Sequence, residues 1–223
     1  MQMKNVLVTG GSRGIGKAIK DRFVYAGYTV YSPTRGELDL SDDQSINNFI
    51  EKNKTIEFDV IINNAGINEI NLLEDVSQSE IDSMIQVNLK APIMLLKAFI
   101  PSMKKNRYGR IVNIGSVWAV VSKKGRGLYS SVKNGLHGIT NTLALELGEY
   151  NILVNTVCPG FTLTELTKKN NSPEEVSSIS EQIPLKRMAA PEEIAEFVYF
   201  LCSENNTYIT GQKICIDGGY TIQ

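Results

Sequence analysis

The sequence predicts an α/β chain in which a parallel sheet is covered by helices on both faces, and three observations carry that expectation. Short β-branched runs alternate with longer stretches of helical periodicity along the chain, the pattern left when each strand is followed by a crossover helix. A glycine-rich turn, Thr9-Gly10-Gly11-Ser12-Arg13-Gly14-Ile15-Gly16, joins the first strand-like run to the first helix-like run. A length of 223 residues with 42% hydrophobic content suits one large domain with a substantial core, so a single domain over 1–223 is expected.

In chain order, strands are expected near 4–9, 28–31, 58–62, 110–114, 152–157 and 213–216. Between them, Ile15, Ile19 and Phe23 recur at helical spacing, as do Ile81, Met84, Ile85 and Leu89, and then Val132, Leu136, Ile139, Leu143 and Leu147. Such stripes are core-facing helix sides. Ser77-Gln-Ser-Glu80 has the form of a capping box and starts a long helix running to about Lys105. Pro92 follows Asn88 by four residues inside it and has no N–H, so the Asn88 carbonyl must find another partner, such as an ordered water. After the second strand, Ser32-Pro33-Thr34-Arg35-Gly36 leads straight into residues 37–40, leaving no room there for a crossover helix. Residues 37–40 are therefore expected to be a short edge piece or irregular. From Phe161 to about Pro191 the chain turns polar, with Lys168, Lys169, Asn170, Asn171 and Ser172 followed by Pro173. Because a final helix and strand follow, this segment is read as a mobile substrate lid at about 161–190.

Composition excludes several classes. With 23 Lys plus Arg against 24 Asp plus Glu, the net charge of -1 gives no attraction for nucleic acid, and a small-molecule substrate fits better. Cys158, Cys202 and Cys215 are scattered, with neither metal-site spacing nor disulfide density, and read as buried thiols in a reducing compartment. The apolar run Val6-Leu7-Val8 is too short for a secretion signal and no later stretch approaches a membrane span, so a cytoplasmic location is expected. The single histidine, His137, reads as a helix-surface or packing residue, and no metal-ligand set is visible.

Chemistry concentrates in three places. Glycines at the 9–16 turn let the backbone approach a pyrophosphate, which then sits on free N–H groups at the positive end of a helix. Tyr129 and Lys133 lie four residues apart at the start of a helix and share one face, so the lysine ammonium is expected to favour the phenolate and make Tyr129 a usable acid and base. Ser116 ends the strand-like run Arg110–Gly115, at the sheet edge where open α/β folds bind ligands, and can donate to an oxygen that gains negative charge.

With the turn at 9–16, Asn63-Asn-Ala-Gly66, Asn88, Ser116, Tyr129-xxx-Lys133, Pro159-Gly160 and Ile216-Asp-Gly-Gly219 in this order, the chain resembles the short-chain dehydrogenase/reductase family, in its compact single-domain branch. The resemblance implies a Rossmann-type doubly wound sheet and an NAD(P)-dependent oxidoreductase interconverting carbonyl and alcohol. It implies a catalytic tetrad of Asn88, Ser116, Tyr129 and Lys133, with Lys133 also holding the nicotinamide ribose. It further implies that Asn64, Ala65 and Gly66 border the adenosine half, that Asp39 and Leu40 contact adenine, and that Thr162 and Thr164 hold the carboxamide. Homodimers or homotetramers are implied as well, pairing helices at about 79–105 and 129–149.

An NAD enzyme usually places an acid near the end of the second strand. Here Ser32-Pro33-Thr34-Arg35 has none, so NADP(H) is favoured over NAD(H), with Arg13 and Arg35 converging on the 2′-phosphate, although Glu37 is close enough in sequence to reach the ribose instead. Tyr208-Ile-Thr-Gly211 adds a likeness to 3-oxoacyl-[acyl-carrier-protein] reductases; Arg107 matches one basic carrier-facing position, and Tyr150 stands at the other. A sugar or another polar carbonyl compound remains open as substrate. The alternatives are a non-catalytic NADP(H)-binding sensor, which the intact tetrad disfavours, and an extended-type epimerase or dehydratase, which the short chain disfavours.

Overall fold

The computed structural model describes residues 3–165, 167 and 172–223, so Lys168, Lys169, Asn170 and Asn171 of the expected lid lie outside the described residues. Six strands, β1 (Asn5–Val8), β2 (Thr29–Tyr31), β3 (Val60–Asn63), β4 (Gly109–Ile114), β5 (Ile152–Pro159) and β6 (Lys213–Ile216), form one sheet. Their order is β2-β1-β3-β4-β5-β6 and all neighbours are parallel. Each lies within two residues of its expected position.

Strand alternation explains the two covering layers, because successive side chains leave opposite faces of a sheet. Leu7, Ile61, Ile111 and Val154 point to one face and pack with residues from helices α2 (Asp43–Asn53), α4 (Ala91–Asn106) and α5 (Gly127–Leu147). Val6, Val8, Val60, Ile62, Val112 and Val157 point to the other, against Ile19 and Phe23 of α1 (Gly14–Tyr25) and Ile194 and Val198 of the helix Pro191–Cys202. Counting α3 (Gln78–Ile85) and α6 (Pro173–Glu181), that last helix is α7. The expected doubly wound α/β architecture is present.

From β1 the chain moves outward to β2, then crosses back to β3 on the other side of β1. This reversal opens a crevice at the carboxyl ends of β1 and β3, the usual ligand position in such sheets.

Residues 37–40 are irregular, as expected, and the crossover from β2 is made by α2, which the sequence reading did not identify. Asp42 caps α2 by accepting from the Gln44 and Ser45 N–H groups at 3.0 and 3.2 Å, while Ile46 and Phe49 are its buried face. Leu38 and Leu40 anchor the segment in the core.

The long helix also differs from expectation. Its start is as read: the Ser77 hydroxyl accepts from Glu80 N–H, and Glu80 accepts from Ser77 N–H at 2.7 Å. It is then interrupted by a π-helical turn over Gln86–Lys90, where the Ala91 N–H reaches back five residues to the Gln86 carbonyl. Pro92, unable to serve Asn88 in the ordinary pattern, accounts for the wider turn. The whole run 78–106 is also long and apolar enough to cross a membrane by length and composition, contrary to the sequence reading. Its Leu95, Leu96, Phe99 and Met103 are buried in the core.

Candidate active site

A cavity of about 550 Å³ occupies the crevice, walled by the glycine-rich turn, the ends of β3, β4 and β5, and the start of α5. It is lined by Gly10, Ser12, Arg13, Gly14, Ile15 and Gly16, by Asn64, Ala65 and Gly66, by Ser116, Tyr129 and Lys133, and by Pro159, Gly160, Thr162 and Thr164. All of these were expected site residues. Arg35, Asp39 and Leu40 do not line it: Arg35 donates from Nε to Asp39 at 3.1 Å on the surface, and the Leu40 side chain is in the core. The expected convergence of Arg35 with Arg13 is thus replaced by a local Arg35–Asp39 pair. Glu37 likewise turns back on its own loop, accepting from the Thr34 N–H at 2.8 Å and hydroxyl at 2.9 Å, which holds its carboxyl below the usual range.

The turn is built for close approach. Gly10 and Gly14 have φ of 68° and 54°, a region that favours glycine. A methyl group on Gly16 would lie 2.2 Å from the Gly10 carbonyl, and one on Gly11 would lie 2.2 Å from Ser32 Oγ at the end of β2. No side chain caps α1, so its first N–H groups are left for a ligand, and a pyrophosphate fits this cradle. Thr9 and Asn64 tie the turn to β3. The Thr9 hydroxyl accepts from Asn64 N–H at 3.0 Å and Ala65 N–H at 3.1 Å, and the Asn64 amide donates to the Thr9 carbonyl at 2.9 Å. Asn64 is thereby a positioning residue for the turn.

At the other end of the cavity, Tyr129 and Ser116 line the same wall, and the Ser116 hydroxyl accepts from the Trp118 N–H at 3.2 Å. Burial pushes the phenol up, with the nearby Ser116 hydroxyl and the Arg126 charge acting in the opposite direction. This corrects the expectation that Lys133 lowers it. The Lys133 ammonium lies 5.7 Å from the Tyr129 ring centre and donates to the Ile114 carbonyl at 2.9 Å, so its charge is held beside β4 rather than on the phenol oxygen. Burial at 3% exposure pulls Lys133 down to about 8.

Asn88 does not line the cavity; it is wholly buried just behind it. Its Oδ1 accepts from Ile67 N–H at 3.2 Å and its Nδ2 donates to the Ile67 and Met84 carbonyls, each at 3.0 Å. Gly66 separates Asn88 from Lys133, since a methyl group there would lie 2.6 Å from Asn88 Oδ1 and 3.3 Å from Lys133 Nζ. The absence of one side chain lets the strand end, the π turn and α5 meet.

The sequence reading missed an aromatic wall. Trp118, Phe161 and Tyr220 pack edge to face, with ring centres 5.2 to 6.0 Å apart, and Trp118 and Phe161 line the cavity with Arg126. Only the place of Trp118, the sole tryptophan, two residues beyond Ser116, hinted at it. The expected lid is tied at both ends: Leu163 N–H donates to the Ala189 carbonyl at 2.8 Å and Ala189 N–H to the Phe161 carbonyl at 2.9 Å. Between them, α6 has no buried residue. Arg107 and Tyr150 are neighbours away from the cavity, the Arg107 guanidinium lying 5.8 Å from the Tyr150 ring centre and donating to the Glu149 carbonyl at 2.6 Å. His137 lies outside the cavity, half-buried and pulled down by burial.

Comparison with known proteins agrees with this geometry. A family model described as enoyl-(acyl carrier protein) reductase matches residues 31–221. The 3-oxoacyl-[acyl-carrier-protein] reductase FabG of Buchnera aphidicola (subsp. Schizaphis graminum) is 40% identical, with 98% of each chain covered. FabG of Escherichia coli K12 is 36% identical over 97% of this chain and 96% of its own. Among solved structures, a short chain dehydrogenase family protein from Francisella tularensis superposes with a TM-score of 0.91 at 33% identity, covering 100% of both chains. ElxO with NADP bound superposes with a TM-score of 0.92 at 32% identity, again over 100% of both.

Proposed function

We propose that this chain, which belongs to the short-chain dehydrogenase/reductase family of oxidoreductases, uses NADPH to reduce a carbonyl to an alcohol, with Tyr129 as the proton donor. One observation carries the reading: Ser116, Tyr129 and Lys133 meet at one end of a cavity whose other end is a glycine cradle on an uncapped helix.

The cofactor, when bound, supplies a hydride to the carbonyl carbon. The residues do the rest. Ser116 donates a hydrogen bond to the substrate oxygen as charge develops there, and Tyr129 hands its phenolic proton to the same atom. A phenol pushed up by burial stays protonated at neutral pH, which suits the reducing direction. Lys133, anchored on the Ile114 carbonyl, holds the ribose, and Asn88, set against Lys133 across Gly66, positions the π turn behind it. Arg13 takes the 2′-phosphate, since no acid stands at the end of β2 to favour a free 2′-hydroxyl. Pro159, Gly160, Thr162 and Thr164 hold the carboxamide side, and the segment 161–190, hinged at its Phe161–Ala189 tie, closes over the substrate. The single domain works in the cytoplasm as a homodimer or homotetramer, for which Ile93 on α4 and Leu145 on α5 offer exposed apolar contacts. The substrate is a 3-oxoacyl thioester, as the names of the FabG relatives indicate for those proteins, or another polar carbonyl compound.

The test is NADPH absorbance with the purified chain and a panel of 3-oxoacyl thioesters, oxo acids and keto sugars. Tyr129→Phe is expected to lower kcat by about 10² to 10⁴ while NADPH affinity stays within about threefold. Equal turnover by wild type and variant would overturn the assignment.

A further inference from the structure

Beside Tyr129 the cavity carries a cation that the proton transfer does not use. Arg126 immediately precedes α5, three residues before Tyr129, so the two lie one helical turn apart on the same cavity. Its guanidinium carbon is 5.5 Å from the Trp118 ring centre. Its Nη1 is buried with no hydrogen-bond partner, and among the described residues no carboxylate pairs with it. A ring face attracts the charge but leaves in-plane N–H groups unserved, and a buried donor without an acceptor is costly enough to need a reason. A planar oxyanion is the acceptor that a guanidinium fork fits best.

We propose that Arg126, backed by Trp118, is a subsite for a carboxylate on the substrate, so that the protein reduces a small oxo acid whose carboxylate lies near its ketone. The inference rests on the reductase reading above and narrows it to a substrate class that an acyl thioester does not belong to. The cofactor phosphates are not the ligand in question: they belong to the cradle and Arg13, whereas Arg126 is grouped with Tyr129 and the aromatic wall.

Trp118 is the only tryptophan, so its fluorescence reports occupancy of this subsite without any turnover. The full chain is saturated with NADP⁺ and titrated with 3-hydroxybutyrate, with its methyl ester and with inorganic phosphate. The acid is expected to bind at least about 30-fold more tightly than the ester in wild type, from a charged hydrogen bond to the guanidinium. Arg126→Gln should bring that ratio close to one, and Arg126→Lys should restore part of it. Reduction of acetoacetate and methyl acetoacetate should show the same preference in kcat/KM, lost in Arg126→Gln. Equal binding of acid and ester by wild type, or an acid preference that survives Arg126→Gln, overturns the subsite. So does phosphate saturating the signal at the acid's concentrations, which would assign a phosphorylated substrate instead. Tight, Arg126-dependent acid binding with no NADPH oxidation on any carbonyl would sink the reductase reading and leave the anion subsite standing.

Discussion

Gly66→Ala tests the packing on which the catalytic arrangement depends. The added methyl group would lie 2.6 Å from Asn88 Oδ1, closer than non-bonded carbon and oxygen tolerate, and 3.3 Å from Lys133 Nζ. Asn88 is 0% exposed and held on both ends of its amide by Ile67 and Met84, so it has no open direction in which to swing. Relief must come from breaking Asn88 hydrogen bonds or from displacing Lys133, at about 2 kcal/mol for a buried polar group left badly partnered. In a chain of this length that is a fall in Tm of about 4 to 8 °C. Activity should fall by tenfold or more, since displacements near 1 Å at a reacting centre have such effects. Thermal unfolding and NADPH oxidation measure the two. A double-mutant cycle identifies the route: with Asn88→Ala present, the methyl group has space, and Gly66→Ala should add less than it does alone. Additive losses, or a Gly66→Ala protein with wild-type Tm and kcat, would refute the proposed contact.

Arg13→Ala should weaken NADPH by about tenfold or more relative to NADH, whereas Arg35→Ala, removing a surface pair with Asp39, should change the NADPH/NADH ratio little; fluorescence titration with each cofactor separates them, and an unchanged preference in Arg13→Ala removes it from the phosphate site. Lys133 is lowered on folding, from an ordinary 10.5 to about 8, so between those values the unfolded chain binds more protons than the folded one and stability should rise with pH through that window. Denaturant midpoints of wild type and Lys133→Met, compared at pH 7 and pH 10, check this: the wild type should gain relative to the variant, and parallel profiles would show that Lys133 titrates normally. Over the same range the ammonium proposed to hold the ribose is lost, so NADPH affinity of the wild type should weaken above about pH 8.

Much of the fold was legible because its signals are local. Period-two and period-3.6 apolar patterns depend on a few neighbouring residues, as does the Ser77–Glu80 cap, and these located all six strands and the starts of α3 and α5. Asp42, Ile46 and Phe49 of α2 carry the same kinds of signal, but this crossover begins only beyond residue 40, past an irregular segment that separates it from β2. The π turn was foreshadowed only as a displaced carbonyl at Asn88. Proline dictates that the ordinary bond is lost, but which alternative pairing replaces it is settled by packing on both sides.

By itself, then, the order of residues determined the strand-and-helix alternation, the glycine cradle and the shared helical face of Tyr129 and Lys133, since each is a matter of spacing along one backbone segment. Tertiary structure decided how those parts are tuned: burial raises the phenol where a neighbouring charge was expected to lower it, Arg35 pairs with Asp39 and does not line the cavity, and Arg126 comes to rest against Trp118 with an unserved N–H. Desolvation and cross-segment distances are sums over everything packed around a group, and no local pattern in a chain encodes such a sum.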